Sequence, residues 1–516
     1  LSSTNANLFA LITEQFPEDM SKVLLTTPDG ESYSYEDAFD ESGRIARCLS
    51  DLGLQAGDRV TVQVEKSPAA LWLYLGCLRG GFVFHPLNMD YQLDELVYFV
   101  SNAKPSVIVC DPGKQQLYDE LTKGTDCQVL TLDSDGEGEL NDASAEMPAA
   151  FRTRDREPED LAVLLYSSGT TGTPKGAKIS HGNLATNTLT LIDSWGFSAS
   201  DRLLHALPIY HAHGLFVAIG CVLMSGSSMV FLPKFNRDQV MAALPDCTVM
   251  MGVPTFYTRM LADKRFDTAL CSNVRLFISG SAPLSPATFN KFRQLTGHTL
   301  LERYGMTETG MNSSNPLDGE RRPGSVGPAL PGISLRVIGD NGLELPRDKA
   351  GHLQVKGPNV FTGYWKMKKE SDQEFTEDGY FKTGDMAIIG ADDYVTIVGR
   401  DKDMVITGGL NVYPREVETL LDNQPEISES AVIGVPHPDF GEGVLAIVVP
   451  AGDAPVSSPE LLERMRPHLA AYKIPKQILT IADLPRNKMG KVQKNRLREL
   501  YADAFGPTDA ANTTAD

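Results

Sequence analysis

The sequence has few cysteines, a deficit of basic residues and no long apolar run, and each shortage removes a class of protein. Seven cysteines (Cys48, Cys77, Cys110, Cys127, Cys221, Cys247 and Cys271) are scattered over 516 residues. The odd number and the lack of any CxxC exclude a disulfide framework or a zinc ribbon and point to free thiols in a reducing compartment. No apolar run approaches the roughly 18 residues of a spanning helix. The stretch NANLFALITEQFPED has neither the basic flank nor the apolar core of a signal peptide. The expected location is cytoplasmic, or an organellar matrix if a targeting segment has been removed. Lys and Arg total 47 against 67 Asp and Glu, a net charge of −20. That disfavours a nucleic-acid or anionic-membrane partner, because such surfaces are built from cations. Cations in a cleft therefore become informative. What remains, 42% hydrophobic and 22% charged, is an ordinary globular composition with material for more than one domain.

Short β-branched runs alternate with helical patterns. VTVQV (60–64), PSVIVCD (105–111), LAVLLY (161–166), CTVMMGVP (247–254) and VRLFISG (274–280) read as buried strands. Amphipathic stretches such as SPAALWLYLGCLRGG and TFNKFRQLTG lie between them. This alternation implies βαβ units in mainly parallel sheets, with binding loops at the carboxyl ends of strands. After about residue 340 the texture becomes short strands with Gly and Asp turns, expected to be antiparallel. GRDKD (399–403) is a charged joint. The expected organisation is an N-terminal domain over 1–400, with a β-rich subdomain, and a smaller α/β domain over 401–505. The small polar tail 506–516 is expected to be disordered.

The strongest chemical signal is LLYSSGTTGTPKGAKISH (164–181). An apolar strand runs into a loop of Ser, Thr and Gly that ends in Lys175. Such a loop can turn backbone N–H groups, hydroxyls and one ammonium onto phosphate oxygens. Its spacing, Gly169-x-x-Gly172-x-x-Lys175-Gly176, is not that of a Walker A loop.

SSGTTGTPKG resembles the phosphate loop of the adenylate-forming superfamily, which includes acyl-CoA synthetases, luciferases and peptide-synthetase adenylation domains. RYGMTE (303–308), FKTGD (381–385), GRDKD (399–403) and LPRNKMGKVQKN (484–495) resemble that superfamily's other stations, in order, so the likeness covers essentially the whole chain. It implies the superfamily's two-domain α/β fold and an ATP-dependent, AMP-forming acid–thiol ligase using Mg²⁺ and coenzyme A. ATP would be held by Ser167, Ser168, Gly169, Thr170, Thr171, Gly172 and Lys175. The wall beside adenine would be Gly280, Ser281, Ala282 and Pro283. Glu302, Arg303, Tyr304, Gly305, Met306 and Thr307 would run past the nucleotide, with Tyr304 against adenine and Thr307 on the α-phosphate. Glu308 would take Mg²⁺, a hard cation suited to carboxylate and phosphate oxygens. Asp385 and Arg400 would meet the ribose, and Val398 would also line the nucleotide site. Charge alone does not choose among Lys488, Lys491 and Lys494; the motif assigns Lys491 as the catalytic cation, together with Glu308, Thr307 and His211. Lys402 would be the hinge of a mobile C-terminal domain, and Gly408 and Gly409 would line the coenzyme A channel or simply form a tight turn.

The acid pocket is expected from ALPIYHAHGLF, MGVPTFYTRM and VRLFISGSAP, which bring His211, His213, Arg259 and Ser279. A His-x-His on a strand suggests a metal, but no third ligand is evident. Arg259 is the sharper clue, because a buried guanidinium needs an anion. That anion is either a protein carboxylate or a second carboxylate on the substrate. Two charges about 4 Å apart interact by ~4 kcal/mol at an effective dielectric of 20, which would favour a dicarboxylate over acetate. The wording of HALPIYHAHGLFVA, LMGVPTFYTR, RLFISGSAPL and LERYGMTET is similar to malonyl-CoA synthetases. The likeness implies malonate, with methylmalonate as a second substrate, bound by Arg259, His211 or His213, Ser279, Arg303 and Met306. Gly310 stands where Asn is frequent in such enzymes, and Ser167-Ser168 where Thr-Ser is usual. A ligase for another short-chain or aryl acid is the nearest rival, and a non-catalytic nucleotide-binding protein the rival of another class. Lysine acyltransferases and deacylases acting on Lys491 are candidate regulators, since acylation removes its charge.

Overall fold

The computed structural model describes residues 5–167, 174–407, 410–437, 440–452, 455–469, 471–487 and 490–505. The expected disordered tail, 506–516, lies outside the described residues. The apolar runs form strands where their patterns place them. Arg59–Gln63, Val83–Pro86, Val107–Cys110, Gln128–Thr131 and Leu161–Ser167 are parallel neighbours in a six-stranded sheet, closed by the antiparallel strand Lys175–Ser180. A second sheet of eight strands has six parallel ones in the spatial order Leu301–Met306, Leu276–Ser279, Val249–Gly252, Arg202–His205, Ser228–Phe231 and Val23–Thr26. Antiparallel strands Gly310–Ser314 and Ser32–Ser34 finish its edges.

One apolar cluster draws on both sheets and on the helices between them, including Leu71, Leu75, Leu78, Trp195 and Leu223. The helix Pro68–Arg79 is therefore not amphipathic, as its sequence was read. Every residue from Ala70 to Arg79 is buried, because the helix is covered on all sides. Ser67 caps it by accepting from the Ala70 N–H.

Beyond residue 330 the strands Ser334–Ile338, Ala350–Lys356, Phe381–Ile389 and Val395–Arg400 make an antiparallel sheet with its own small core. A 3₁₀ turn, Asp401–Asp403, leads out of it. The five strands that follow, Val405–Thr407, Leu410–Val412, Ile427–His437, Gly441–Pro450 and Gln477–Thr480, share a separate sheet. Its two faces bury clusters drawn wholly from residues after 404. No helix among the described residues is long and apolar enough to cross a membrane.

Candidate active site

The candidate residues converge on the carboxyl ends of the parallel strands of the eight-stranded sheet, where open α/β sheets place ligands. Ser279 ends the strand Leu276–Ser279, and the turn after it carries Gly280, Ser281, Ala282 and Pro283 before the helix Pro286–Thr296. Ser281 holds a left-handed backbone, φ 70°, which is uncommon for a residue with a Cβ and marks a constrained turn. The neighbouring strand Leu301–Met306 alternates its side chains. Glu302 is buried and accepts from the Gly324 N–H at 3.2 Å, and burial pushes its pKa up to about 8. Arg303 is buried and crosses Gly280, where any Cβ would fall on the guanidinium. Gly280 is thus required by close approach.

The residues expected at the nucleotide also come together. Tyr304 donates its hydroxyl to Asp385 Oδ2 at 2.6 Å, and Arg400 Nε lies 3.0 Å from Asp385 Oδ1. Asp385 and Arg400 face each other across the pair Phe381–Ile389 and Val395–Arg400, so the sheet register brings them together. Val398 is buried on the same strand and Met306 is half-buried. Glu308 sits with Thr307 and Thr309 in the turn between Leu301–Met306 and Gly310–Ser314. It is buried, and burial raises its pKa against the favourable effect of the Tyr364 hydroxyl 3.1 Å from Oε1. Lys175 Nζ lies 3.1 Å from Glu374 Oε1 and 4.9 Å from the centre of the Tyr364 ring. Tyr364 and Glu374 carry no motif signal of their own; only the fold brings them beside Glu308 and Lys175. Ser167 ends the strand Leu161–Ser167, while Ser168, Gly169, Thr170, Thr171 and Gly172 lie outside the described residues.

Lys491 comes from the body after residue 404. Its backbone N–H donates to Asn487 Oδ1 at 3.0 Å, and its carbonyl accepts from the Asn487 N–H at 2.9 Å. The residue stays open to solvent, yet its ammonium reaches into the cleft. Surrounding protein and Arg400 lower its pKa while Asp385 and Glu308 raise it, with lowering the net result. Lys402 is exposed on the 3₁₀ turn, and Gly408 and Gly409 lie outside the described residues.

Two expectations about the acid pocket need correction. His211 and His213 are not on a strand. The strand Arg202–His205 ends before them, and His213 opens a π-helix, His213–Ile219, a rare geometry that recurs at functional sites. His213 Nδ1 lies 3.1 Å from Ser281 Oγ. Both imidazoles are held neutral, with His211 pushed down to about 3 by burial, Lys491 and Arg303. Among the described residues no group of three or more His, Cys, Asp or Glu is arranged to hold a metal. Nor is Arg259 buried. It lies on the exposed face of the helix Pro254–Leu261, in the wall of a cavity of about 750 Å³ that Arg486 and Arg496 also line. Burial therefore imposes no anionic partner on Arg259. The buried guanidinium is Arg303, and its Nε and Nη2 have no hydrogen-bond partner. Among the other residues expected in the acid pocket, His211 Nδ1, His213 Nε2 and Ser279 Oγ share that condition.

A family model described as AMP-binding enzyme matches residues 12–365, and one described as AMP-binding enzyme C-terminal domain matches residues 416–491. The chain belongs to the AMP-binding enzyme family. It is 34% identical to the mitochondrial malonate–CoA ligase ACSF3 of Bos taurus, over 93% of this chain and 89% of that protein. ATP-bound MatB from Rhodopseudomonas palustris superposes with a TM-score of 0.95 at 51% identity, over 97% of this chain and all of that one. Apo MatB, at the same identity and coverage, superposes at 0.86. The AMP-binding enzyme fold read from the motifs is thus the fold of this chain.

Proposed function

We propose that this AMP-binding enzyme is a malonate–CoA ligase, joining malonate to coenzyme A at the expense of ATP through a malonyl-adenylate. The observation that carries the choice of acid is Arg303, a buried guanidinium with two unpartnered nitrogens beside three further unpartnered polar atoms. Each such group costs about 1–3 kcal/mol when left unpaired, so an anion rich in oxygen acceptors would relieve several at once. Malonate carries one carboxylate for Arg303 and a second to present to ATP. Methylmalonate fits the same reading, with its methyl group toward Met306. Arg259 would then meet the anion at the cavity mouth rather than in the recess.

In the first half-reaction a carboxylate oxygen attacks the α-phosphorus and pyrophosphate leaves. Charge builds between the two anions, and Lys491, drawn into the cleft toward Glu308 and Asp385, would offset it. Asp385 and Arg400 would orient the ribose, and Thr307 the α-phosphate. A lone buried carboxylate with a raised pKa suits a dication completed by phosphate oxygens, so Glu308 would hold Mg²⁺, which would neutralise the phosphates. In the second half-reaction the thiolate of coenzyme A attacks the acyl carbon and AMP leaves. The body over 401–505 would rotate for this step about Lys402, carrying Gly408 and Gly409 to the thiol channel. All seven cysteines are free, which supports a reducing compartment, the cytoplasm or an organellar matrix. A lysine acyltransferase acting on Lys491 would remove the charge the first half-reaction uses and so act as a regulator.

The reading is tested by pyrophosphate release with malonate and with propionate, which lacks the second carboxylate. Arg303→Met should cut kcat/KM for malonate by roughly 30-fold or more, from a cost of about 2–5 kcal/mol, and spare or improve propionate. Malonate preference that survives Arg303→Met and disappears in Arg259→Ala would move the recognition to Arg259.

A further inference from the structure

One buried cation has no part in the site described above. Lys66 follows the strand Arg59–Gln63 of the six-stranded sheet, and His205 ends the strand Arg202–His205 of the eight-stranded sheet. Lys66 is 8% exposed and His205 1%. The Lys66 ammonium has three N–H donors and meets three acceptors: His205 Nδ1 at 2.6 Å, the His205 carbonyl at 2.9 Å and the Leu232 carbonyl at 2.5 Å. It also stands 4.2 Å from the centre of the Phe231 ring, a favourable seat for a cation. Only a protonated lysine can donate to all three acceptors.

That geometry fixes His205. A carbonyl only accepts, so Nε2 beside Gly214 carries the ring proton and Nδ1 of the neutral ring accepts from Lys66, whose three acceptors hold its charge against the burial that lowers its pKa. Nε2 lies 2.9 Å from the Gly214 carbonyl, so it donates there. Gly214 is the second residue of the π-helix His213–Ile219. The helix opens with His213, whose ring meets Ser281 on the turn after Ser279. A continuous set of contacts therefore runs from Lys66 through His205 and Gly214 to the histidines of the recess. The opposite tautomer would set a ring N–H against the ammonium and a lone pair against the carbonyl.

We propose that Lys66 is a positioning residue for acid recognition: by fixing the tautomer of His205 it pins the first turn of the π-helix and so sets where His211 and His213 stand. The inference rests on reading the recess around Arg303 as the seat of the acid. A plain structural tie between the two sheets would make the same contacts, and the two roles differ in what they disturb. A tie supports the whole site, whereas a positioning role acts on the acid alone.

The test varies malonate and ATP separately in pyrophosphate-release assays of the full chain, with melting temperatures alongside. Lys66→Met and His205→Leu should raise KM for malonate by about tenfold or more, the usual scale for losing an orienting outer partner, and leave KM for ATP unchanged. His205→Gln should restore most of the loss, since its amide offers an acceptor to Lys66 and an N–H to Gly214. An unchanged malonate KM in His205→Leu would overturn the proposal. So would a His205→Gln protein as impaired as His205→Leu, or malonate and ATP constants that rise together as the melting temperature falls. Where Lys66→Met does not fold, the pair of variants at residue 205 decides. The wild-type arm reports separately on the acid: if another acid is the substrate, the same comparison is made on that acid's KM.

Discussion

Two unpartnered nitrogens on a buried guanidinium are expensive to keep, and Arg303 keeps them within the strand Leu301–Met306, where substrate would lie. Its neighbours respond to it. Arg303 helps hold His211 and His213 neutral, so an arriving dianion would meet one fixed cation and two neutral imidazoles. In the proposed mechanism Lys491 would be the mobile counterpart. Lys491→Ala should slow pyrophosphate release about 10²–10³-fold, the usual scale for removing one donor to developing charge, and leave transfer of a prepared malonyl-adenylate to coenzyme A intact. Loss of both half-reactions alike would contradict that division. Glu302 supplies a pH signature. Its pKa is about 8 in the folded protein against an ordinary 4.5, so the folded state holds a proton that the unfolded chain gives up over that window. The corresponding stability is complete below about pH 4.5 and is lost as pH rises through 8. Glu302→Gln should flatten the fall in melting temperature across this range, and parallel curves for the two proteins would refute the assignment.

At the scale of elements, the strands were legible and the recess was not. Runs such as VIVC, VMMG and LFIS are buried on both faces and bounded by turns, so pattern alone located them. The pairing of Asp385 with Arg400 was legible only as two motifs, but antiparallel register makes it a contact. His-x-His misled because a period of two in so short a segment fits a strand or an irregular turn equally, and the chain chose a π-helix. Arg259 and Arg303 each follow an apolar run, and sequence carries no sign of which one the fold buries. Tyr364 and Glu374 reach the site from far along the chain, beyond any local pattern. Gly310 shows how an element can forbid a substitution. Its φ is 59°, and a Cβ there would stand 2.5 Å from Asn187 Oδ1. Asn187 clasps Met311 by accepting from its N–H at 3.0 Å and donating to its carbonyl at 2.9 Å. Gly310→Asn would tolerate the backbone but push the clasp apart. A loss of about 1–3 kcal/mol is expected, read as a lower melting temperature, and an unchanged one would show that Asn187 has room to move.

At the scale of the molecule, the C-terminal body is placed so that Lys491 enters the cleft beside Glu308, Asp385, Arg303 and His211. The closer superposition on ATP-bound than on apo MatB agrees with an arrangement suited to the first half-reaction. In the proposed second half-reaction that body would turn about Lys402. Lys402→Pro, which fixes the backbone of the 3₁₀ turn, should leave malonate-dependent pyrophosphate release intact in the absence of coenzyme A and slow thioester formation. Equal effects on both would argue against rotation at this point. The central claim, a ligase whose recess selects a dicarboxylate, is tested most directly with the wild-type enzyme. Pyrophosphate release and CoA-thioester mass would be measured with ATP, Mg²⁺ and coenzyme A across malonate, methylmalonate, succinate, acetate, butyrate and benzoate. Turnover of malonate, alone or with methylmalonate, to its CoA thioester is the predicted result. Turnover of acetate, butyrate or benzoate with malonate ignored would keep the ligase and contradict the dicarboxylate recess.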